Sequence, residues 1–373
     1  MRSAECRQME IMESYDVIVV GAGPGGALAA KKCAEGGLKT LLLEKRTLPR
    51  DKVCTGMIMG PWAHDIIGEE FGDIPGGILA DPPFLKGHLI HVSGAEPREI
   101  NWKTPVGWRR DIDFWMVEKA LAAGVELISG ARFLGLSQGA DLFDVLVQTG
   151  EERLRLQAKF LVGADGATSR VRSALFPDLK VPYASPLRIC YKGSLDMEKD
   201  RCHWFFPKRM PRPRFDVNHK DDCFLIEGSG IRELRSEITE TLTKFGYDPS
   251  MKPIWKDGCA IAILHAPLVD GSFVPCRGNA LLVGDAGGMV FPITFEGIGS
   301  ALMSGRIAGE SILEANRTNK PASAIYREKV RPVIHAIGQL QRISKALPSE
   351  PQTDMESLSR RITEAYRKTL EIE

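Results

Sequence analysis

The chain has 373 residues, 43% of them hydrophobic and 26% charged, enough for two domains with a sizeable core and unlike a disordered chain. Its 49 Lys and Arg against 48 Asp and Glu give a formal net charge of +1, without the basic excess of a nucleic-acid binder. The eight cysteines, at 6, 33, 54, 190, 202, 223, 259 and 276, form no C-x-x-C, which excludes a zinc ribbon or a redox dithiol and suits a reducing cytoplasm.

Residues 1–14 are polar and charged, with no apolar core of a signal peptide. The apolar stretch 17–30 is broken by glycines and is shorter than the ~20 residues of a membrane span. Residues 17–20 are a β-branched run and predict a buried strand. Gly21, Gly23 and Gly26 follow at the G-x-G-x-x-G spacing, with Pro24 and Gly25 between them. The first glycine permits a tight turn, the second lets backbone approach a pyrophosphate, and the third lets helix pack on strand. A helix over 27–33 directs free N–H groups and a positive dipole end at the phosphates. A second strand over 38–43 ends at Glu44, placed to hydrogen-bond a ribose hydroxyl. Strand, turn, helix, strand and terminal acid in this order are far more specific than the glycines alone.

Lys45 opens a loop rich in proline and charge, and a helix starts near Pro61. Residues 89–92 and 99–102 read as short strands. A helix over 112–123 and a strand over 125–128 return to the first sheet. Three close segments, 131–136, 142–148 and 153–157, suggest an antiparallel flap laid on the nucleotide domain. Residues 160–172 form another strand, turn and helix, in which Asp165 accepts backbone N–H groups and Gly166 takes a positive φ.

Residues 183–266 have shorter alternating segments and a helix over 231–245, as in a mostly antiparallel second domain. They contain Cys202-His203-Trp204-Phe205-Phe206-Pro207. Such aromatics read as core, or as a wall for an apolar substrate. Lys208, Arg209, Arg212 and Arg214 read as a solvated loop, or as a contact for a nicotinamide donor's phosphate or an acidic lipid surface. A buried strand over 279–283 leads to Gly284-Asp285, and a helix opens at 292–301 and runs to about 315. Met355, Leu358, Ile362, Tyr366 and Leu370 fall at helical spacing. The seven histidines show no ligand spacing, so no metal is expected.

The glycine turn with Glu44, Gly163-Ala164-Asp165-Gly166 and Gly284-Asp285, in that order, resemble the FAD-dependent family typified by p-hydroxybenzoate hydroxylase. Within it the chain most resembles the geranylgeranyl reductases, through Arg50-Asp51-Lys52-Val53-Cys54 and Trp204-x-Phe206-Pro207. Departures are Thr55 after the cysteine, Cys202 for a tyrosine, a late Gly228-Ser229-Gly230, and Phe295 for a glycine beside the flavin.

The resemblance implies an α/β (α+β) fold: a Rossmann-like FAD-binding domain, a mostly antiparallel substrate domain and a helical C-terminus. The expected divisions are 15–80, 107–182 and 272–330 for FAD, 81–106 and 183–271 for substrate, and 331–373 for the C-terminal helices. It implies that Gly21, Gly23, Pro24, Gly25 and Gly26 hold the pyrophosphate and that Glu44 and Lys45 lie at the adenosine ribose. Thr55, Gly56 and Arg109 would lie on the flavin side, Phe133 at the adenine, Asp165 at a turn touching cofactor, and Asp285 at the ribityl chain. Gly297 and Ile298 would offer N–H groups to the flavin ring, where a helix N-terminus stabilises reduced flavin.

Cys54, Trp204 and Phe206 form the expected catalytic side, in a pocket read as apolar. Cys54 is either a proton donor or a buried structural cysteine. The implied reaction is hydride transfer from reduced FAD to a C=C bond of an isoprenoid-like or enone substrate, with NAD(P)H or ferredoxin as donor. A flavin monooxygenase or halogenase and a non-catalytic FAD-stabilised electron-carrier module are the alternatives. A peripheral membrane contact, but no transmembrane segment, is compatible with this.

Overall fold

Val17, Ile18 and Val19 are fully buried in the strand that their β-branched run predicts. That strand is the centre of the first sheet. The computed structural model describes residues 13–139, 141–209, 211–212 and 214–372.

The first half of the chain runs β1 (Glu13–Val20), α1 (Pro24–Glu35), β2 (Thr40–Glu44), α2 (Pro61–Phe71), β3 (Leu79–Val92), β4 (Arg98–Gly107) and α3 (Arg109–Ala122). Then come β5 (Glu126–Ser129), β6 (Ala131–Gln138), β7 (Phe143–Thr149), β8 (Glu152–Gly163) and α4 (Arg170–Leu175). The second half begins with β9 (Tyr183–Ala184), β10 (Leu187–Lys192), β11 (Arg201–Phe206), β12 (Phe215–Lys220), β13 (Cys223–Gly228) and α5 (Arg235–Thr243). It continues through β14 (Trp255–Gly258), β15 (Ile261–Ala262), α6 (His265–Val269), β16 (Cys276–Arg277) and β17 (Ala280–Leu282). Four helices close it: α7 (Ile298–Thr318), α8 (Ala322–Lys329), α9 (Arg331–Ala346) and α10 (Met355–Leu370).

The first sheet has the order β16-β17-β8-β1-β2-β5, with β7 also on β8 and β6 on β7. Its centre is parallel, and α1 packs against both α3 and α7. The flap expected to lie on this sheet is instead part of it. Segments read as separate, 153–157 and 160–163, are one 12-residue strand, β8. Its far edge pairs antiparallel with β7 and then parallel with β17.

The second sheet has the order β14-β10-β13-β12-β11-β3-β4. All its pairs are antiparallel except β3 with β11. The short strands expected over 89–92 and 99–102 are 14 and 10 residues long, joined across irregular registers. The expected helix over 231–245 is confined to α5, because 231–234 are in turn conformation.

One face of this sheet carries Tyr191, Phe205, Phe215, Val217, Phe224 and Ile226 against Leu234, Ile238 and Leu242. Cys202, Trp204 and Phe206, on the opposite side of β11, join the main core. The spacing predicted for the C-terminal helix holds: Met355, Leu358, Ile362, Tyr366 and Leu370 are all buried in α10, which packs on β3 and β4. Asp354 caps it, accepting 2.9 Å from the Ser357 N–H.

Candidate functional site

The glycine turn shows why each glycine is needed. Gly21 has φ 107°, and a Cβ there would collide with the Ala164 carbonyl. A Cβ on Gly26 would collide with the Gly21 carbonyl, where α1 meets β1. Gly23 is different. The nearest atom to a Cβ there is the Arg50 guanidinium, 4.0 Å away, so this glycine faces open space beside a cation. The backbone at this point is open to a phosphate, and the residues fit a dinucleotide.

Glu44, buried at the end of β2, accepts 3.1 Å from Ala22 N–H and 3.0 Å from Arg46 N–H. Arg50 reaches it at 3.2 Å through Nε and reaches Asp113 at 2.9 Å through Nη1. Arg109 donates to both oxygens of the same Asp113, at 2.7 and 3.0 Å. A chain of alternating charge, Glu44–Arg50–Asp113–Arg109, therefore runs along the loop after β2. Sequence reasoning placed Arg50 in a motif but gave it no site role. Lys45 points outward and is exposed.

A cavity of about 90 Å³ lies between this loop, the second sheet and the start of α7. Cys54, Thr55, Met57 and Met59 line it from the loop, and Trp204, Arg214, Asp216 and Glu227 from the second sheet. Thr294, Phe295, Glu296, Gly297 and Ile298 close its third side. Gly297 caps α7, so the helix N-terminus faces the cavity. Asp285 Oδ1 would lie 3.2 Å from a Cβ on Gly297. Cys54 Sγ accepts from the Gly56 N–H at 3.3 Å. Its carbonyl accepts from Arg188 Nη1 at 2.5 Å.

The apolar pocket expected from sequence is corrected here, because its walls are ionisable. Trp204 pairs across strands with Asp216, Asp216 with Glu227, Glu227 with Arg188, and Arg188 with Asp257. These five residues form one rung across the sheet on its cavity side. Arg188 is held bidentately by Asp257 at 3.1 and 2.7 Å. Asp216 accepts 2.7 Å from the Asn218 amide. Burial pushes the Asp216 carboxyl well up, and neighbouring Glu227 pushes it further. Burial also raises Glu227 to about 7, against the pull of Arg188 and Lys220.

Glu296 is raised to about 7 by burial, although its Oε1 accepts the Gly299 N–H at 2.7 Å. Lys220 is fully buried, donates 3.0 Å to the Gly107 carbonyl and is lowered to about 8 by burial. None of Asp216, Glu227, Glu296 or Lys220 was singled out from sequence. The alternation Phe-Asp-Val-Asn-His-Lys along β12 was a visible signal, but its polar face reads as solvated.

Other expected residues fall in two places. Asp165 holds its turn, accepting from Ser169 Oγ at 2.5 Å and from Arg170 N–H at 2.7 Å, and Gly166 has φ 81°. The Phe133 carbonyl accepts from Arg170 Nη1 at 3.3 Å. Phe206 lies behind the cavity wall, edge-on to Tyr366 at 5.8 Å. The basic stretch is not wholly solvated. Lys208 pairs with Glu237 at 3.5 Å. Arg212 and Arg214 turn inward to the carbonyls of Pro292 and Ile293, each at 2.8 Å. Among the described residues no group of three His, Cys, Asp or Glu side chains is arranged to hold a metal. No described helix is long and apolar enough to cross a membrane.

Two models described as FAD binding domain match the chain, over residues 16–51 and 108–200. Digeranylgeranylglycerophospholipid reductase 2 of Methanopyrus kandleri is 31% identical over 81% of this chain and 77% of its own length. The crystal structure of a geranylgeranyl bacteriochlorophyll reductase-like protein from Thermoplasma acidophilum aligns with TM-score 0.71 and 23% identity, covering 95% of this chain and 96% of that one. The myxobacterial chondrochloren halogenase aligns equally well, with TM-score 0.71 over 96% and 90% of the two chains at 16% identity. At such identities the two structures establish the fold alone, a Rossmann-like flavoprotein. The protein is an FAD-dependent oxidoreductase. On the extended match to the Methanopyrus kandleri enzyme, the chain belongs to the FAD-dependent geranylgeranyl reductase family.

Proposed function

We propose that this protein reduces a C=C bond of an isoprenoid-like or enone substrate held in the cavity between the second sheet and the start of α7. The observation that carries the reading is the meeting of Cys54, Trp204 and the Gly297–Ile298 backbone on one cavity, in a chain whose relatives are named reductases of geranylgeranyl compounds.

In this reading Gly21, Gly23, Pro24, Gly25 and Gly26 hold the FAD pyrophosphate, with the α1 N-terminus and Arg50 supplying positive potential. Glu44 takes the adenosine ribose, with Lys45 at its exposed side, and Phe133 the adenine. Asp165 keeps the turn beside the cofactor, and Asp285 holds the ribityl chain. Thr55, Gly56 and Arg109 support the flavin side, and the Gly297 and Ile298 N–H groups face the ring edge. Bound FAD supplies the hydride. Cys54 and Trp204 shape the substrate side, and Phe206 holds Trp204 and Tyr366 in place from behind.

Residues 15–80, 107–182 and 272–330 serve FAD, 81–106 and 183–271 serve substrate, and the C-terminal helices brace the second sheet. NAD(P)H or ferredoxin supplies electrons.

Anaerobic reoxidation tests the reaction. The flavin is reduced chemically, a polyprenyl or enone substrate is added, and the oxidised flavin spectrum is followed. Its return without oxygen is the expected result. Flavin that stays reduced until oxygen enters, with an oxygen atom then found in product, replaces the reductase reading with a monooxygenase one.

A further inference from the structure

An isoprenoid chain needs no carboxylates, yet two meet on the cavity wall. Asp216 of β12 and Glu227 of β13 are direct cross-strand partners, so their Cβ atoms stand about 4.5–5.5 Å apart. Both line the cavity. Among the described residues Asp216 is satisfied only by the Asn218 amide, and Glu227 Oε2 has no partner. Beside them Arg214, two residues before Asp216 and 5% exposed, also lines the cavity with its Nε unpartnered among the described residues. This is a polar site with unused hydrogen-bonding capacity, not a solvated acidic surface.

Asp216 is buried and Glu227 partly so, and two neighbouring carboxyls held largely out of water resist ionising together. Arg188 and Lys220 pull Glu227 down and Arg214 pulls Asp216 down, but burial outweighs them. Arg188 on β10 is already held by Asp257 of β14, and Lys220 on β12 donates to the Gly107 carbonyl. Arg214 is held by the Ile293 carbonyl. Glu296, before α7, is raised by its own burial. The Cys202 thiol on β11 is held well up by burial and by these same two acids, and Cys54 lies across the cavity in the loop. No cation forms an ion pair with Asp216 or Glu227 among the described residues.

We infer that Asp216 and Glu227 share one proton at neutral pH and that Glu227 delivers it to the substrate carbon, serving as the general acid of the site. The inference rests on the reductase reading. As the double bond is reduced, the Glu227 O–H bond breaks and a C–H bond forms from the π electron pair. The other carbon receives hydride from reduced flavin, the two-electron reductant of the FAD-dependent reaction. The carboxylate left on Glu227 is reprotonated by water after product leaves. Cys54 is then a wall of the pocket and not its acid.

Infrared spectroscopy of the holoprotein in H2O and D2O reads the proton directly, without turnover. Wild type at neutral pH should show a buried carboxylic acid carbonyl stretch that the Asp216→Asn/Glu227→Gln double variant lacks. In anaerobic reoxidation Glu227→Gln should keep its FAD yet be slowed about 100- to 10,000-fold. The parent rate should fall as rising pH removes the proton the pair shares. Should Glu227→Gln not fold, Asp216→Asn takes its place, and a pH dependence that persists but moves to lower pH supports the same assignment. A carbonyl band unchanged in the double variant, or a Glu227→Gln rate equal to the parent's, overturns the inference. If no olefin reoxidises even the wild type, the reductase reading fails, while the infrared difference still reports whether the pair holds a proton.

Discussion

The two sheets bury their strands in opposite ways. In the first, β2 is Thr-Leu-Leu-Leu-Glu, buried along its whole length, with its one charge at the end beside the glycine turn. In the second, β12 is Phe-Asp-Val-Asn-His-Lys, and all six residues are buried as well. At the parallel centre of the first sheet, β1 from Val17 and β2 are buried on both faces, with the charge at the strand end. The second is apolar toward α5 and ionisable toward the cavity. In the proposed function the first sheet positions the cofactor with backbone, and the second presents side chains to whatever lies against it. The chemistry beyond FAD binding therefore depends on the second sheet, and the two should respond differently to perturbation.

The largest effect is expected in the first sheet. Gly26→Ala places a methyl group on the Gly21 carbonyl, a backbone collision that no rotamer relieves. It should cost about 3 kcal/mol or more in stability and remove the yellow cofactor. Gly23→Ala has open space before it, so it should melt near wild type but bind FAD more weakly. Melts and flavin absorbance of the two variants, side by side, test the contrast. Equal stability would show that the turn can yield, and that the glycine geometry is not what distinguishes this sheet.

The second sheet should show its character through pH. Glu227 titrates at about 7 in the fold, against an ordinary value of 4.5. Between these values the folded state binds the proton and the unfolded state has released it. The contribution is therefore fully present below about pH 4.5 and is lost as pH rises through about 7, at roughly 1.4 kcal/mol per pH unit. Glu227→Gln removes this slope. It should gain on wild type as pH rises, with the two closest in mild acid. Denaturant melts across that range measure it. A parallel pair of stability curves would mean that the carboxyl is solvated and that the inner face is not buried in the sense drawn here.

The same contrast explains what could be read from sequence. Residues 17–20 and 38–43 are apolar runs with a glycine turn between them, and no other arrangement satisfies both. Glu44 was legible as the acid that ends the second run, and it is buried there against the glycine turn. The second sheet offers alternation, and alternation separates faces without saying which is wet. Asp216, Asn218 and Lys220 alternate as a solvated edge would, yet all three are buried, with the loop at Cys54 and the segment before α7 across the cavity from Asp216. That covering is a long-range fact. Arg214 was misread for the same reason, since the Ile293 carbonyl it meets lies about eighty residues away in the chain, whereas Arg212 is exposed. The break between 157 and 160 was read into β8 because its two ends have different partners, which composition cannot show.

The smallest expected effect lies at Phe295, where the two sheets' contributions meet. Phe295 has φ 58°, in the left-handed region that costs a non-glycine residue about 1–2 kcal/mol. Its half-buried ring lies 5.7 and 5.6 Å from the Arg212 and Arg214 guanidinium groups, each such contact contributing about 0.5–1 kcal/mol. Strain and packing therefore nearly cancel, and Phe295→Gly should change stability by about 1 kcal/mol or less. Phe295→Ala loses the ring but keeps a Cβ at the same φ, so it should be less stable than the glycine variant by about 1 kcal/mol. The difference between the two isolates the backbone term. Both variants widen the cavity, and both should accept bulkier olefins in anaerobic reoxidation. Glycine and alanine variants of equal stability would place the backbone at ease with its conformation. A loss of several kcal/mol in both would make the ring part of the core, and the cavity's size would then be set by the second sheet alone.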